Sequence, residues 1–252
     1  MEAVFDISLP TSWADLTDKQ LLLVFNLFAR DLSAAEAKTL CLMKWCGLEV
    51  KATLPEQRFI GKKKGGPEMV LHVRQLQQAI ACLDFLESLS PVPVRISRIG
   101  RHKAAPADFD GVPFENFLYC DNLYQGYLET KKADFLTQMA EVLYHHDGIH
   151  LTAAEQISVF YWFASLKAWL SKRFSHFFLP VITDNQDDNG LGATPDIGKQ
   201  LQQSMDAQIR ALTGGDITKE QQVLKFNTQR ALTELDAKAK EAEEYRRASK
   251  QR

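Results

Sequence analysis

The sequence predicts a mainly α-helical fold: a multi-helix globular body with a small β-hairpin and a long C-terminal amphipathic helix. Three observations support this class. Ser or Thr repeatedly stands three residues before Glu or Gln at the start of an apolar segment, which is the pattern of a helix N-terminus. A Gly- and Lys-rich stretch separates two short apolar runs, as in a β-hairpin. The last segment carries a thin apolar stripe among charged residues.

Four capping boxes predict where helices begin, because the hydroxyl accepts a backbone N–H of the first turn and the later side chain returns the bond. The pairs are Thr17 with Gln20, Ser33 with Glu36, Thr152 with Glu155, and Thr218 with Gln221. Gly47 is placed to end the second of these helices. Apolar spacing predicts further helices over 74–89, 114–128 and 133–144, and Thr194 with Pro195 predicts another helix start.

The β-hairpin is predicted around the segment GKKKGGP at residues 61–67. The apolar runs Gln57–Ile60 and Met69–His72 flank it, and Gly and Pro at its centre favour a turn. Residues 91–113 contain many chain-breaking residues and predict a short strand followed by an irregular connection.

The order of these elements predicts three regions. Residues 1–112 form an N-terminal helical region with the hairpin, and residues 113–180 form a central helical region rich in aromatic side chains. Residues 181–252 contain a loop followed by extended C-terminal helices.

Composition limits the classes of function. The 252 residues carry a formal net charge of −2, so no global positive field favours nucleic acid, and this partner is not expected. No apolar run reaches membrane-spanning length and the N-terminus is acidic, so we expect no membrane association and a cytoplasmic location. The four cysteines lack metal-binding spacing and are expected to be buried free thiols.

Two segments contain residue types that bind metals. His145, His146 and His150 lie close together, but Gly148 and the following capping box place them in a loop rather than on one helical face. The loop Asn185–Asp196 imitates a calcium-binding loop, yet it begins with Asn and ends with Asp where such loops use Asp and Glu. We therefore expect no metal, cofactor or small-molecule substrate, and no enzymatic activity.

Two basic stretches, Lys62–Lys64 and Arg95–Lys103, could form a local positive patch. They support an alternative function as a nucleic-acid-associated regulator. A metal-dependent enzyme built on the His145–His150 loop is a further alternative.

Amphipathic surfaces favour a protein partner. The stripe of the last helix predicts a surface that packs on its own domain, pairs with a second copy or enters a groove on a partner. The four consecutive aromatic residues 160–163 surround a helix on every side, so this helix is either buried all round or meets a partner on one side. The residues predicted to bind a partner are Leu224, Ala231, Leu235, Ala239, Tyr161 and Trp162. The partner is expected to be another protein or a second copy of the chain.

Several strings resemble a family of prophage proteins from gut Bacteroidetes that are encoded among tail morphogenesis genes. The strings are LTDKQLLLVFNLFA, DNLYQGYLET, VFYWFASLKAWL, LTGGDITKEQQVL and RALTELDAKAKEAEE. This resemblance implies a role in phage tail assembly, such as a chaperone of the tape-measure protein, or a place in the tail itself. It implies a location in the bacterial host cytoplasm or the virion, and it carries over no functional residues.

Overall fold

A computed structural model describes residues 9–30, 32–63, 65–178 and 197–250. For residues 197–201 and 250 it describes the backbone alone. The calcium-like loop Asn185–Asp196 and the last lysine of the basic tip, Lys64, lie outside the described residues.

Helices dominate the structure, which confirms the predicted mainly α-helical class with a small β-element and a C-terminal helix. The helices in the described residues are α1 Asp18–Phe28, α2 Ala34–Cys46, α3 Val73–Ala81, α4 Phe114–Thr130, α5 Asp134–Leu143, α6 Ala153–Arg173, α7 Ile197–Thr213, α8 Glu220–Leu224 and α9 Thr228–Lys250. Short 3-10 turns cover Trp13–Asp15, Asp84–Glu87 and Ile217–Lys219.

Three of the four predicted capping boxes are confirmed. Thr17 and Ser33 cap α1 and α2, and the partner side chain three residues later returns a bond in each case. Thr152 accepts the backbone N–H of Glu155 at the start of α6, and the Glu155 carboxylate accepts the Thr152 N–H at 2.8 Å. Gly47 ends α2 with a φ of 60°, a left-handed conformation that glycine adopts without strain.

The predicted start of the last helix at Thr218 is wrong. Asp216 caps the 3-10 turn there by accepting the Thr218 N–H, and the chain then forms α8 before α9 begins at Thr228. The break between α8 and α9 has a long-range cause. The Phe226 carbonyl accepts the Phe114 N–H, and the Thr228 N–H donates to the Val112 carbonyl, so these groups do not continue the α8 helix.

The predicted hairpin belongs to a larger sheet. Strands β2 (Arg58–Lys63) and β3 (Glu68–His72) are antiparallel neighbours, as the sequence indicated. A third strand that the sequence did not predict, β1 (Leu48–Leu54), pairs with the other side of β2. Farther along, β4 (Arg98–Ile99) and β5 (His102–Lys103) form a second, two-stranded sheet within the predicted irregular connection.

The chain forms two compact units. The first unit comprises described residues within 1–104 and 149–165, and the second those within 105–148 and 166–252. The first unit's core joins α1, α2 and the N-terminal part of α6, with Trp13, Phe25 and Leu42 at its centre. The core of the second unit includes Phe114, Met139 and Leu170. The three-region division predicted from the sequence stays a prediction.

The cysteines differ in their surroundings. Cys41 and Cys120 are buried free thiols, as expected, and burial raises the pKa of Cys41 to about 12. Cys46 is half-buried. Cys82 is exposed, so the prediction of burial is wrong there, because Cys82 directly follows α3 and directs its thiol towards the Gln78 carbonyl of that helix.

Across the residues that the structure describes, no helix combines the length and apolar character needed to span a lipid bilayer.

Candidate functional site

The second compact unit contains an open cleft between α4, α7 and α9, with the C-terminal part of α6 and the residues that follow it also contributing. The cleft has a volume of about 580 Å³. Its lining is Phe117, Asp121, Lys167, Phe177, Phe178, Ser204, Ala207, Gln208, Ala211, Leu235, Lys238 and Ala239. Apolar and small side chains are therefore in the majority.

Two helical faces contribute walls of the cleft. Ala207 and Ala211 on α7 are four residues apart, as are Leu235 and Ala239 on α9, so each pair lies on one face of its helix. Three of these four residues are alanine, whose small side chain leaves room for another helix to come close. The two walls thus offer apolar contact without filling the space between them.

An aromatic pair forms a third wall. The rings of Phe177 and Phe178 contact edge to face, with centroids 4.8 Å apart. Two contacts with α9 hold this segment: the Phe177 N–H donates to Asp236 Oδ1 at 2.9 Å, and His176 Nδ1 lies 3.2 Å from Glu243 Oε2. The hydrogen bond with His176 lowers the pKa of the Glu243 carboxyl, which favours its charged form. The aromatic wall is therefore attached to the same helix that supplies Leu235 and Ala239.

The cleft also contains a shielded ion pair. The Lys167 ammonium on α6 contacts the Asp121 carboxylate on α4, and their side chains are only 23% and 26% exposed. The same ammonium lies 5.7 Å from the centre of the Tyr124 ring, an arrangement that favours a cation. Burial raises the pKa of the Tyr124 hydroxyl, so it stays protonated. The charges of Lys167 and Asp121 neutralise each other, so Lys238 is the charged residue of the lining that is exposed and not part of this pair.

The structure separates the residues predicted to bind a partner. Leu235 and Ala239 line the cleft, whereas Ala231 is fully buried in the core of the second unit. Leu224 is half-buried on α8. The role of these residues in partner binding stays a prediction.

The aromatic pair of α6 lies in the first unit. Trp162 is fully buried. The Tyr161 hydroxyl accepts the Ser90 N–H at 2.8 Å and donates to the Ser88 carbonyl, while its ring packs on Trp13. These contacts attach the loop after α3 to α6, which gives Tyr161 a structural role within the unit.

Sequence reasoning missed the α7 wall and the aromatic wall. Ala207 and Ala211 have the four-residue spacing of a helix face, but alanine in a polar helix gives little apolar signal. Phe177 and Phe178 lie beyond the end of α6 and outside the run of aromatic residues 160–163 on which the sequence prediction depends.

The histidine segment lies in the predicted loop, between α5 and α6. His145 and His150 are exposed, and the Glu141 carboxylate accepts the Gly148 N–H at 2.8 Å. In the described ranges, no three His, Cys, Asp or Glu side chains are close enough together to hold a metal ion.

The two basic stretches differ in geometry. Lys62 on β2 is half-buried and stands opposite Glu49 of β1 and Glu68 of β3, so acidic side chains flank it. The Arg95 guanidinium lies over the Trp162 ring, 5.8 Å from its centre. The remaining cations of the second stretch lie on the β4–β5 hairpin and are exposed.

Comparisons of the chain with protein-family models, with curated protein sequences and with solved structures give no match.

Proposed function

We propose that this chain is a non-enzymatic protein that binds another protein, and that the cleft between α4, α7 and α9 receives a helix of that partner. The observation that carries the proposal is the presence of two small, apolar helix faces in the lining of one open space of about 580 Å³. An amphipathic helix enters such a groove through side chains at three- and four-residue spacing.

The chemistry of the lining supports a helix rather than an extended segment. An extended segment that binds by strand addition needs unpaired backbone donors and acceptors along a sheet edge. The cleft walls are helices, whose backbone groups are hydrogen-bonded internally, so recognition would depend on side-chain packing. The Phe177–Phe178 pair provides rigid apolar surface, which is typical of residues that dominate binding energy.

The resemblance to prophage tail-region proteins suggests the biological setting. We place the chain in the bacterial host cytoplasm, where it would bind a helical tail component such as the tape-measure protein during assembly. Long helical proteins expose apolar faces before they assemble, and a groove that covers such a face would prevent aggregation.

The test is co-expression with the tape-measure protein encoded in the same prophage. We expect the two proteins to co-purify, and Ala239→Arg to reduce the recovered partner at least about tenfold, because a buried unpaired charge in an apolar contact costs well over 1.4 kcal/mol. Ala237→Arg is the matched control, since Ala237 is exposed on the same helix and does not line the cleft. It should leave recovery unchanged.

Two results would contradict the proposal. One is co-purification that Ala239→Arg and Ala237→Arg affect equally, because the cleft would then play no part. The other is a soluble tape-measure protein that never associates with the wild-type chain. Circular dichroism of both variants checks that α9 remains helical.

A further inference from the structure

The hairpin formed by β4 and β5 concentrates positive charge at one point of the first unit. Arg98 and Lys103 are direct cross-strand partners, so their side chains leave the same face of the hairpin. Arg101 is exposed in the two-residue turn between the strands, beside Gly100, whose φ is 57°. Like charges placed directly opposite one another repel, so this arrangement weakens the hairpin in the free protein.

Few acidic groups compensate this charge. Among the described residues, Arg98, Arg101 and Lys103 take part in no ion pair. The carboxylate of Asp18 is near the base of the hairpin, but it accepts hydrogen bonds from the N–H and the hydroxyl of Ser97. The three cations are therefore exposed, and no acidic side chain in the described part of the chain forms an ion pair with them.

The hairpin presents charge and backbone, and its apolar side chains point away from solvent. Val94, Ile96 and Ile99 are at most 7% exposed. A protein partner normally requires an apolar or aromatic anchor surrounded by polar groups, and the large apolar side chain of the hairpin itself, Ile99, is buried. Such a surface suits a polyanion that is bound through its charge.

We propose that the β4–β5 hairpin binds the phosphate backbone of a nucleic acid through Arg98, Arg101 and Lys103, without reading the base sequence. Two of the three cations are arginines, whose planar guanidinium donates two parallel hydrogen bonds to one phosphate. A Cβ at Gly100 would meet no atom within 4 Å, so the tip of the turn is open to a backbone. This contact is separate from the cleft of the second unit and does not depend on the proposed function.

The experiment measures the affinity of the full chain for a short labelled DNA duplex by fluorescence anisotropy at several salt concentrations. We expect a dissociation constant of about 10⁻⁴–10⁻⁶ M at physiological salt, with no preference between duplex sequences. Each phosphate that a cation neutralises contributes about 0.9 to the slope of log affinity against log salt. The triple variant Arg98→Gln, Arg101→Gln, Lys103→Gln should therefore reduce the magnitude of this slope by about 2.7.

A charge-matched variant provides the control. Arg30→Gln, Lys44→Gln, Arg74→Gln removes the same formal charge from three exposed positions elsewhere in the first unit. It should retain most of the slope. The single variant Arg98→Gln relieves the repulsion with Lys103, so it should stay folded and reduce the slope by about 0.9 even if the triple variant does not fold.

Three outcomes would overturn the proposal. The wild-type chain could fail to bind duplex DNA even at about 50 mM salt, where phosphate contacts are strong. The two triple variants could lose affinity equally, which would assign binding to overall charge. Finally, polyglutamate of matched charge could compete as well as DNA, which would assign the hairpin to an acidic polypeptide.

Discussion

At the scale of single residues, Lys38 shows how the first unit accommodates a charge in its interior. Its side chain is 10% exposed, and its ammonium lies 2.6 Å from Asp84 and 2.5 Å from Glu87. Hydrogen bonds to Asp84 and then to Glu87 raise the pKa of Lys38 above its ordinary value, against the effect of burial. Both carboxylates remain largely hydrated, which limits the energy of the pair to about 1 kcal/mol.

Lys38→Met should therefore destabilise the chain by about 1 kcal/mol at neutral pH, because it keeps the apolar stem and removes the ion pair. Folding raises the pKa of this lysine, so the stabilisation is complete below the unfolded pKa of about 10.4 and declines as the pH rises through the folded value. Urea unfolding between about pH 7 and pH 11 measures this difference.

Lys44→Met provides the control, because Lys44 is an exposed lysine on the same helix. It should change the stability by less than about 0.5 kcal/mol. A variant at position 38 that is as stable as the wild type at neutral pH would show that the ion pair contributes nothing measurable.

At the scale of elements, the start of α9 is determined by contacts distant in sequence. The hydroxyl and the N–H of Thr228 each donate to the Val112 carbonyl at 2.8 Å, and Thr228 is fully buried. Asn227 caps the helix by accepting the Gln229 N–H, and its amide donates to Asp110 at 2.8 Å. These bonds attach the base of α9 to the segment before α4.

Thr228→Val should cost about 1 kcal/mol, because it preserves the shape of the side chain and removes one buried hydrogen bond. Thr233→Val is the comparison, since that exposed hydroxyl donates only to the Gln229 carbonyl of its own helix. Chemical denaturation of both variants gives the two free energies of unfolding. Equal losses of unfolding free energy at the two positions would mean that the bond from Thr228 to Val112 stabilises the chain no more than a bond within one helix.

These contacts explain which elements the sequence could predict. Thr17, Ser33 and Thr152 begin helices through bonds to residues three positions away, so the pattern is visible in the sequence. Thr218 has the same spacing, but its hydroxyl donates to Asp216, and the helix start is fixed farther on by residue 112. The position of this helix start depends on a contact between residues 112 and 228, so local sequence patterns do not predict it.

In the sheet and the cleft, too, local patterns could be predicted from the sequence and contacts between distant residues could not. Strand β1 was missed because most of its side chains are exposed, which removes the alternating apolar pattern of a half-buried strand. In the cleft, Leu235 and Ala239 could be identified from the stripe of α9 alone. The wall formed by α7 could not be inferred from either helix by itself, because it depends on how α7 packs against α9.

At the scale of the whole molecule, α6 belongs to both compact units. Its residues up to Ser165 are part of the first unit and those from Leu166 onward are part of the second. The helix continues through this boundary without interruption. Unfolding of either unit would leave the rest of α6 as a shorter helix, and short helices are marginal in water because they gain most of their stability from packing.

We therefore expect one cooperative thermal transition. Leu83→Ala in the first unit and Leu143→Ala in the second remove the same atoms from fully buried sites, and each should cost about 2–5 kcal/mol. Both should shift the whole calorimetric peak to lower temperature. Two separate peaks, each displaced by only one of the substitutions, would show that the units unfold independently.

The core of the first unit can be completed only late in synthesis, because it includes residues from 149–165. Trp13 stacks near Tyr161, and Ala154 and Ile157 complete the same apolar cluster. A ribosome releases the chain from its N-terminus at a rate of about 5–20 residues per second. While residues 105–148 are being made, the preceding part of the first unit has been synthesised but still lacks the residues of α6 that complete its core. The nascent chain must therefore wait several seconds before its first unit can close, and during that time its apolar surface is open to chaperones or to other nascent chains.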